Sequence, residues 1–254
     1  MTGTIQAKLR QIEAENQVRV LYACESGSRA WGFASPDSDY DVRFIYARQA
    51  DSYLSILDPK NFIEVPVDSV LDINGWDIRK ALRLFLTSNP PLYEWLQSPV
   101  VYQVEQDFLH DLQVLMPGYF SLRAGCHHYL SMTRKMVETH LCAERVKIKK
   151  YFYALRTALA ALWIVRKETL PPMQLQDLRG LVTDAGWQQE VDNLLQVKKR
   201  SDEKTWTEAV AMLHQWLGAV VDEVSTKAPA LPVPEPDAEG LNRIFKKWIY
   251  HHDV

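Results

Sequence analysis

The hydrophobic pattern changes character near residue 105, and that change limits the folds open to this chain more than any other feature. Before it, short β-branched and aromatic runs read as strands; beyond it, apolar residues recur at helical spacing over long stretches. Ile5, Leu9 and Ile12 share one face of a first helix, which leads into the apolar strand Val18-Arg-Val-Leu-Tyr-Ala-Cys24. A second strand runs from Asp39 through Tyr46, and two more are expected at residues 62–65 and 69–73. Asn74-Gly75 predicts a turn, residues 76–88 a helix with Asp77 near its start, and Asn89-Pro90-Pro91 its end, before a short helix at 92–96. Residues 120–141, 144–167, 175–185 and 205–227 predict bundle helices in which strand signals disappear. Four prolines between 228 and 237 then make an extended segment before a last helix at about 238–251. The expected class is α+β: a small mixed-sheet domain over residues 1–104, then an α-helical bundle domain over 105–254.

The chain is long enough, at 254 residues with 47% hydrophobic content, to bury real cores. Its 29 basic and 32 acidic residues leave a formal charge of −3, so any nucleic-acid contact must be local. Cys24, Cys126 and Cys142 are odd in number and lack CxxC spacing, which argues against a disulfide framework and a zinc ribbon. His127, His128 and His140 lie near two of them, but at spacings that match no common zinc site. No apolar run approaches the roughly 18 residues needed to span a bilayer, and a cytoplasmic protein is expected.

The chemistry concentrates after the first strand. Glu25-Ser-Gly-Ser28 breaks it with small residues, and a turn of this kind, with backbone N–H groups leading into a helix, can hold a phosphate. Asp39 and Asp41 then stand about 7 Å apart on one face of an extended segment, where like charges repel unless a cation lies between them. Asp72, flanked by Leu71 and Ile73, is a third acid in an apolar strand. If that strand pairs beside the first two acids, three carboxylates converge in the manner that holds two divalent cations about 4 Å apart. Otherwise Asp72 opens the Asn74-Gly75 turn. An EF-hand starting at Asp37 fails, because Val42 stands at the required Gly and Arg48 at the final Glu. The Asp-x-Asp of metal-dependent glycosyltransferases remains a rival, though without the Gly-Ser turn. Asp37, after Pro36, reads as turn chemistry.

Arg29 and Arg43 flank these residues and Lys80 lies on the following helix, each a candidate to neutralise a triphosphate or to form a surface ion pair. From 143 to 167 seven basic residues face one acid, and helical spacing groups Arg145, Lys149 and Arg156 around Tyr153. Such a face suits phosphates or RNA, or simply solvent. Trp31, beside the Gly-Ser turn, is placed near ligand, whereas Trp95 suits core packing.

Gly27-Ser28, Asp39-Tyr-Asp41-Val and Leu71-Asp72-Ile together resemble the signature of the DNA polymerase beta-like nucleotidyltransferase superfamily. The strings Ser26-Gly-Ser-Arg-Ala-Trp-Gly-Phe33, Asp37-Ser-Asp-Tyr-Asp-Val-Arg-Phe44, Gly75-Trp-Asp-Ile-Arg-Lys80 and Asn89-Pro-Pro-Leu-Tyr-Glu-Trp-Leu96 are similar to a bacterial group within it, partly associated with RNA repair. Lys149-Lys-Tyr-Phe-Tyr-Ala-Leu-Arg156 extends the likeness into the helical half. The resemblance implies that Gly27 and Ser28 hold a nucleoside triphosphate and that Asp39 and Asp41 ligate magnesium. Asp72 would bind a second ion, with manganese as the alternative metal, and help deprotonate an acceptor hydroxyl. Arg29, Arg43, Lys80, Lys149 and Tyr153 complete the expected nucleotide-binding set. The implied reaction is in-line attack on the α-phosphate with release of pyrophosphate, an RNA end being the first acceptor to consider. A sensing or RNA-binding module without catalysis, or nucleotidylation of a protein hydroxyl, are the alternatives.

Overall fold

The computed structural model describes residues 1–66 and 70–250. Ser69, expected to open a strand, and His251-His252, at the expected end of the last helix, lie outside the described residues. The fold is α+β, with a five-stranded mixed sheet in the N-terminal half and a mostly helical C-terminal part. No helix among the described residues is long and apolar enough to cross a membrane.

The chain forms two compact units. The first takes residues 1–27, 39–119 and those from 235 onward; the second takes 28–38 and 120–234. In the first, β1 (Val18–Glu25), β2 (Tyr40–Arg48), β3 (Phe62–Glu64), β4 (Leu71–Asp77) and β5 (Val101–Val104) are ordered β3-β4-β2-β1-β5. Only β2 and β4 run parallel; the other neighbours are antiparallel. Helix Thr2–Asn16 lays Ile5, Leu9 and Ile12 on one sheet face against Val20, Val42, Phe44 and Ile73. Side chains alternate along a strand, so Asp41 and Arg43 of β2 and Asp72 of β4 leave the face opposite to Val42, Phe44 and Ile73. Helix Glu239–Tyr250 belongs to this unit too, with Trp248 edge-on to Phe108 at 5.5 Å and Phe245 edge-on to Tyr53 at 5.2 Å.

Asn74-Gly75 is not a turn. Both residues continue β4, and Gly75 lies opposite Phe44 in the parallel register. A Cβ on Gly75 would meet the Phe44 ring at 2.2 Å, so the glycine serves ring packing rather than chain reversal. Gly75→Ala should therefore cost about 2 kcal/mol despite alanine's lower chain entropy. Chemical denaturation measures the loss, and adding Phe44→Leu should recover part of it. Because β4 reaches Asp77, the next helix starts at Ile78 rather than Trp76, with Asp77 Oδ1 accepting from the Arg79 N–H at 2.8 Å. The prolines after Asn89 begin helix Pro90–Trp95, capped by Asn89, instead of only ending the one before. Trp95 is buried and stacks on Trp76 at 3.9 Å between centroids, the core duty its sequence suggests.

In the second unit the long helices Leu122–His140, Ile148–Lys167 and Ala211–Lys227 pack together. Strands persist here, contrary to the periodicity. β6 (Arg145–Lys147) pairs antiparallel with β7 (Trp206–Glu208), so the expected helices at 144–167 and 205–227 each begin later. Val146 explains β6: it is fully buried while its neighbours Arg145 and Lys147 are exposed, the alternation of a strand. The expected helix at 175–185 is one turn, Leu175–Leu178, followed by a 3-10 turn, Arg179–Leu181. Asp184 then caps a separate helix, Ala185–Arg200, by accepting from the Trp187 N–H at 2.7 Å. No helix was expected here, although Trp187, Val191, Leu194 and Lys198 recur at helical spacing.

Between two of these helices Arg166 holds Glu223 at 2.7 Å, with Lys227 adding a second bond at 2.8 Å. The Arg166 hydrogen bond leads in lowering the Glu223 carboxyl to about 2. A carboxylate depressed in the folded state stabilises above its unfolded value, about 4.3, and loses that contribution as pH falls towards the folded one. Melting temperatures measured across that acid range should fall less steeply for Glu223→Gln than for the wild type.

Candidate functional site

The turn after β1 is built around a buried acid. Glu25 is fully buried; its Oε1 accepts the Asp41 backbone N–H at 2.8 Å and its Oε2 accepts the Tyr102 hydroxyl. Its carbonyl accepts the Ser98 hydroxyl at 2.6 Å, and its N–H donates to Val100 at 2.9 Å. The Ser26 N–H then donates to the Asp41 carbonyl at 2.8 Å. Both backbone polar groups of Asp41 are thus tied to the end of β1. In the sequence Glu25 reads only as part of the small-residue break; an acid ending an apolar strand is the signal that sets it apart.

Gly27 follows at φ +91°, a conformation that side chains disfavour. A Cβ there would lie 2.2 Å from Asp41 Oδ2, so the turn and the carboxylate approach each other closely only because residue 27 has no side chain.

Parallel register sets Asp41 beside Asp72 and Arg43 beside Asn74. The Arg43 guanidinium bridges the acids: Nη2 lies 2.7 Å from Asp72 Oδ2 and 3.5 Å from Asp41 Oδ1, while Nη1 donates to the Asp72 and Val42 carbonyls at 3.0 Å each. The three side chains are 19–35% exposed, so the cluster is open to solvent on one side. Asp39 is exposed just before β2 begins. Lys80, on helix Ile78–Leu86, holds its ammonium 5.2 Å from the Trp76 ring and 5.4 Å from that of Phe62.

Among the described residues no three His, Cys, Asp or Glu side chains are grouped to hold an ion. Asp41 and Asp72, however, present adjacent hard carboxylate oxygens, on which an ion would take the place of the Arg43 guanidinium. That donor set fits a divalent cation of the magnesium class.

In the second unit Ser28 opens the single turn Ser28–Trp31, and its carbonyl accepts the Phe33 N–H at 3.1 Å. Arg29 donates to the Ser38 carbonyl at 2.6 Å. Tyr153 meets Trp31 edge-on at 5.2 Å, and Arg156 lies 4.5 Å from the Trp31 ring. The basic helical face is divided by this packing. Arg145 is in β6, Arg156 is buried with its Nε donating to the Met173 carbonyl, and Lys149 pairs with Glu203 at 2.5 Å.

Glu203 also accepts the Ser38 hydroxyl at 2.7 Å, and its backbone N–H donates to the Asp37 carboxylate at 3.1 and 3.2 Å. Lys198, only 2% exposed, donates to Ser35 Oγ at 2.8 Å. These bonds pin residues 35–38, which directly precede Asp39 in the chain. Burial lowers the Lys198 ammonium below its ordinary value. Burial alone would raise the Glu203 carboxyl, but hydrogen bonds from Lys149 and Ser38 prevail and hold it below the usual range. Burial pushes the fully buried Cys24 thiol up to about 12.

Known proteins of the same kind are recognisable across nearly all of this chain. It is 41% identical over 240 residues to YcgL, an uncharacterized protein of Bacillus subtilis (strain 168), spanning 94% of this chain and 92% of its relative. A crystal structure of a nucleotidyltransferase-like protein from Exiguobacterium sibiricum 255-15 matches 98% of this chain and 81% of its own, at 12% identity and a TM-score of 0.29. The profile of the RlaP family matches residues 1–247. With a match of that extent, the chain belongs to RlaP, the RNA repair pathway DNA polymerase beta family.

Proposed function

We propose that the protein is a metal-dependent nucleotidyltransferase that moves a nucleoside monophosphate from a triphosphate to an acceptor hydroxyl, an RNA end being the favoured acceptor. Membership of a polymerase beta-like family supports the reaction class. The observation that carries the reading is the side-by-side pair Asp41 and Asp72, bridged by Arg43 and closely approached by Gly27.

Asp39, Asp41 and Asp72 would hold two magnesium ions, whose chemistry when bound is to polarise the phosphates and lower the pKa of the attacking hydroxyl. In the proposed reaction the acceptor oxygen forms a bond to the α-phosphorus, the bond to the bridging oxygen of pyrophosphate breaks, and Asp72 accepts the hydroxyl proton. Gly27 brings backbone close to the triphosphate without a side chain in the way. Arg43 spends its Nη hydrogens on the carboxylates and two carbonyls, so ions taking its place on the acids would free a planar donor suited to phosphate oxygens. Lys80 adds a compact positive charge. Ser28, Arg29, Lys149 and Tyr153 are proposed nucleotide contacts on sequence grounds.

The test is incubation of the protein with a panel of α-labelled nucleoside triphosphates, magnesium or manganese, and cellular RNA or protein. Label on RNA, released by ribonuclease, is the expected result. Label on protein would reassign the acceptor. Triphosphate binding without any label transfer would leave a sensing module.

A further inference from the structure

The β6–β7 ribbon of the second unit has an outward face that the reaction proposed above does not use. Alternation exposes Arg145 and Lys147 on β6 and Trp206 and Glu208 on β7, while Val146 faces inward. In register, Arg145 opposes Glu208 and Lys147 opposes Trp206. The first pair is balanced in charge. At the second, the Lys147 ammonium lies 5.5 Å from the centroid of an indole that is 50% exposed.

The chain around β6 carries more cations. Residues 134–150 contain six Lys and Arg against Glu138 and Glu144, in a chain of formal charge −3. Arg134 bonds Ser225 and Lys149 pairs with Glu203, but among the described residues Lys135, Lys147 and Lys150 have no carboxylate partner. These three come from different elements: helix Leu122–His140, β6 and the first turn of helix Ile148–Lys167. The imidazole of His140 is lowered by its slight burial and then by the charges of Lys150, Lys135 and Lys147. An exposed aromatic ring with one unpaired ammonium group beside it, next to a stretch of excess positive charge, matches the chemistry of a polyanion with π faces.

We propose that this face binds single-stranded nucleic acid, with Lys135, Lys147 and Lys150 on the phosphates and Trp206 stacked on an unpaired base. It rests on the reading of an RNA acceptor, to which it adds a place on the protein. A duplex keeps its bases stacked inside and offers nothing to the indole, so a single strand is the better occupant.

Fluorescence anisotropy of a labelled single-stranded oligoribonucleotide, with chelator and without nucleotide, reads this face apart from catalysis. Lys135→Glu/Lys147→Glu/Lys150→Glu should weaken binding at least about tenfold near physiological salt and flatten the log–log salt slope by roughly 2. Trp206→Ala should weaken it by about fivefold to a hundredfold with little change in slope. Lys246→Glu, exposed on another helix, controls for a charge reversal away from this face and should leave binding within about twofold of wild type. Asp41→Asn should bind as wild type does. Equal losses in the triple variant and Lys246→Glu, an inert Trp206→Ala, or a preference for anionic phospholipid vesicles over RNA would each overturn the proposal. If the triple variant and Trp206→Ala lose binding as expected but no protein transfers nucleotide, the activity falls and the surface stands. If transfer proceeds while these variants bind normally, the surface falls and the activity stands.

Discussion

Asp41→Asn should lower nucleotide transfer by about a thousandfold, since a charged ligand to a catalytic cation contributes several kcal/mol at the transition state. The fold should barely notice. The carboxylate is 31% exposed and lies 3.5 Å from Arg43, and the amide keeps its size, while Arg43 retains its 2.7 Å bond to Asp72. A partly exposed ion pair of that length is worth at most about 1 kcal/mol, or a melting shift of no more than about 4 °C. Steady-state transfer of α-labelled nucleotide and thermal unfolding measure the two effects separately. Transfer within tenfold of wild type would mean that Asp41 does not hold the metal.

Gly27→Ala is expected to have the next largest effect, through geometry rather than charge. The new Cβ would sit 2.2 Å from Asp41 Oδ2, so either the carboxylate rotates away or the turn opens. The φ of +91° adds about 1 kcal/mol for any L side chain. Gly32→Ala isolates the two causes, because Gly32 has φ +87° but nothing within 4 Å of its would-be Cβ. Both variants should lose about 1 kcal/mol in a denaturant titration. Only Gly27→Ala should lose activity, by roughly a hundredfold, the range that a displacement of about 1 Å at a reacting group produces. Equal activity losses in both would show that the close approach to Asp41 does not matter.

Much of the first unit was legible because its signals are local. The spacing of Ile5, Leu9 and Ile12 marks a helix, and the apolar run before Cys24 marks a buried strand inside the sheet, between β2 and β5. The resemblance carried by Ser26–Phe33 and Asp37–Phe44 led to the family that the profile match establishes. The errors arose where a local signal competed with a distant partner. Asn74-Gly75 has turn chemistry, yet Phe44 on the neighbouring strand needs the empty space of a glycine and β4 stays extended. Arg145–Lys147 adjoins a strong helical pattern, but Val146 is buried and the backbone pairs with β7.

By itself, then, the sequence determined the first helix, the strands around the acids and the long bundle helices, the class of fold, the family and which acids follow the first strand. Each of these depends on side-chain period or on residues adjacent in the chain. Tertiary structure alone decided that Asp72 stands beside Asp41, that Arg43 bridges them, and that Glu25 ties the backbone of Asp41 to the end of β1. It also divided the basic residues of 143–167 between an ion pair, a buried stack on Trp31 and an exposed ribbon. Register and partner choice are long-range: they follow from how whole faces pack, and a side chain's spacing in the chain carries no record of which strand lies next to it.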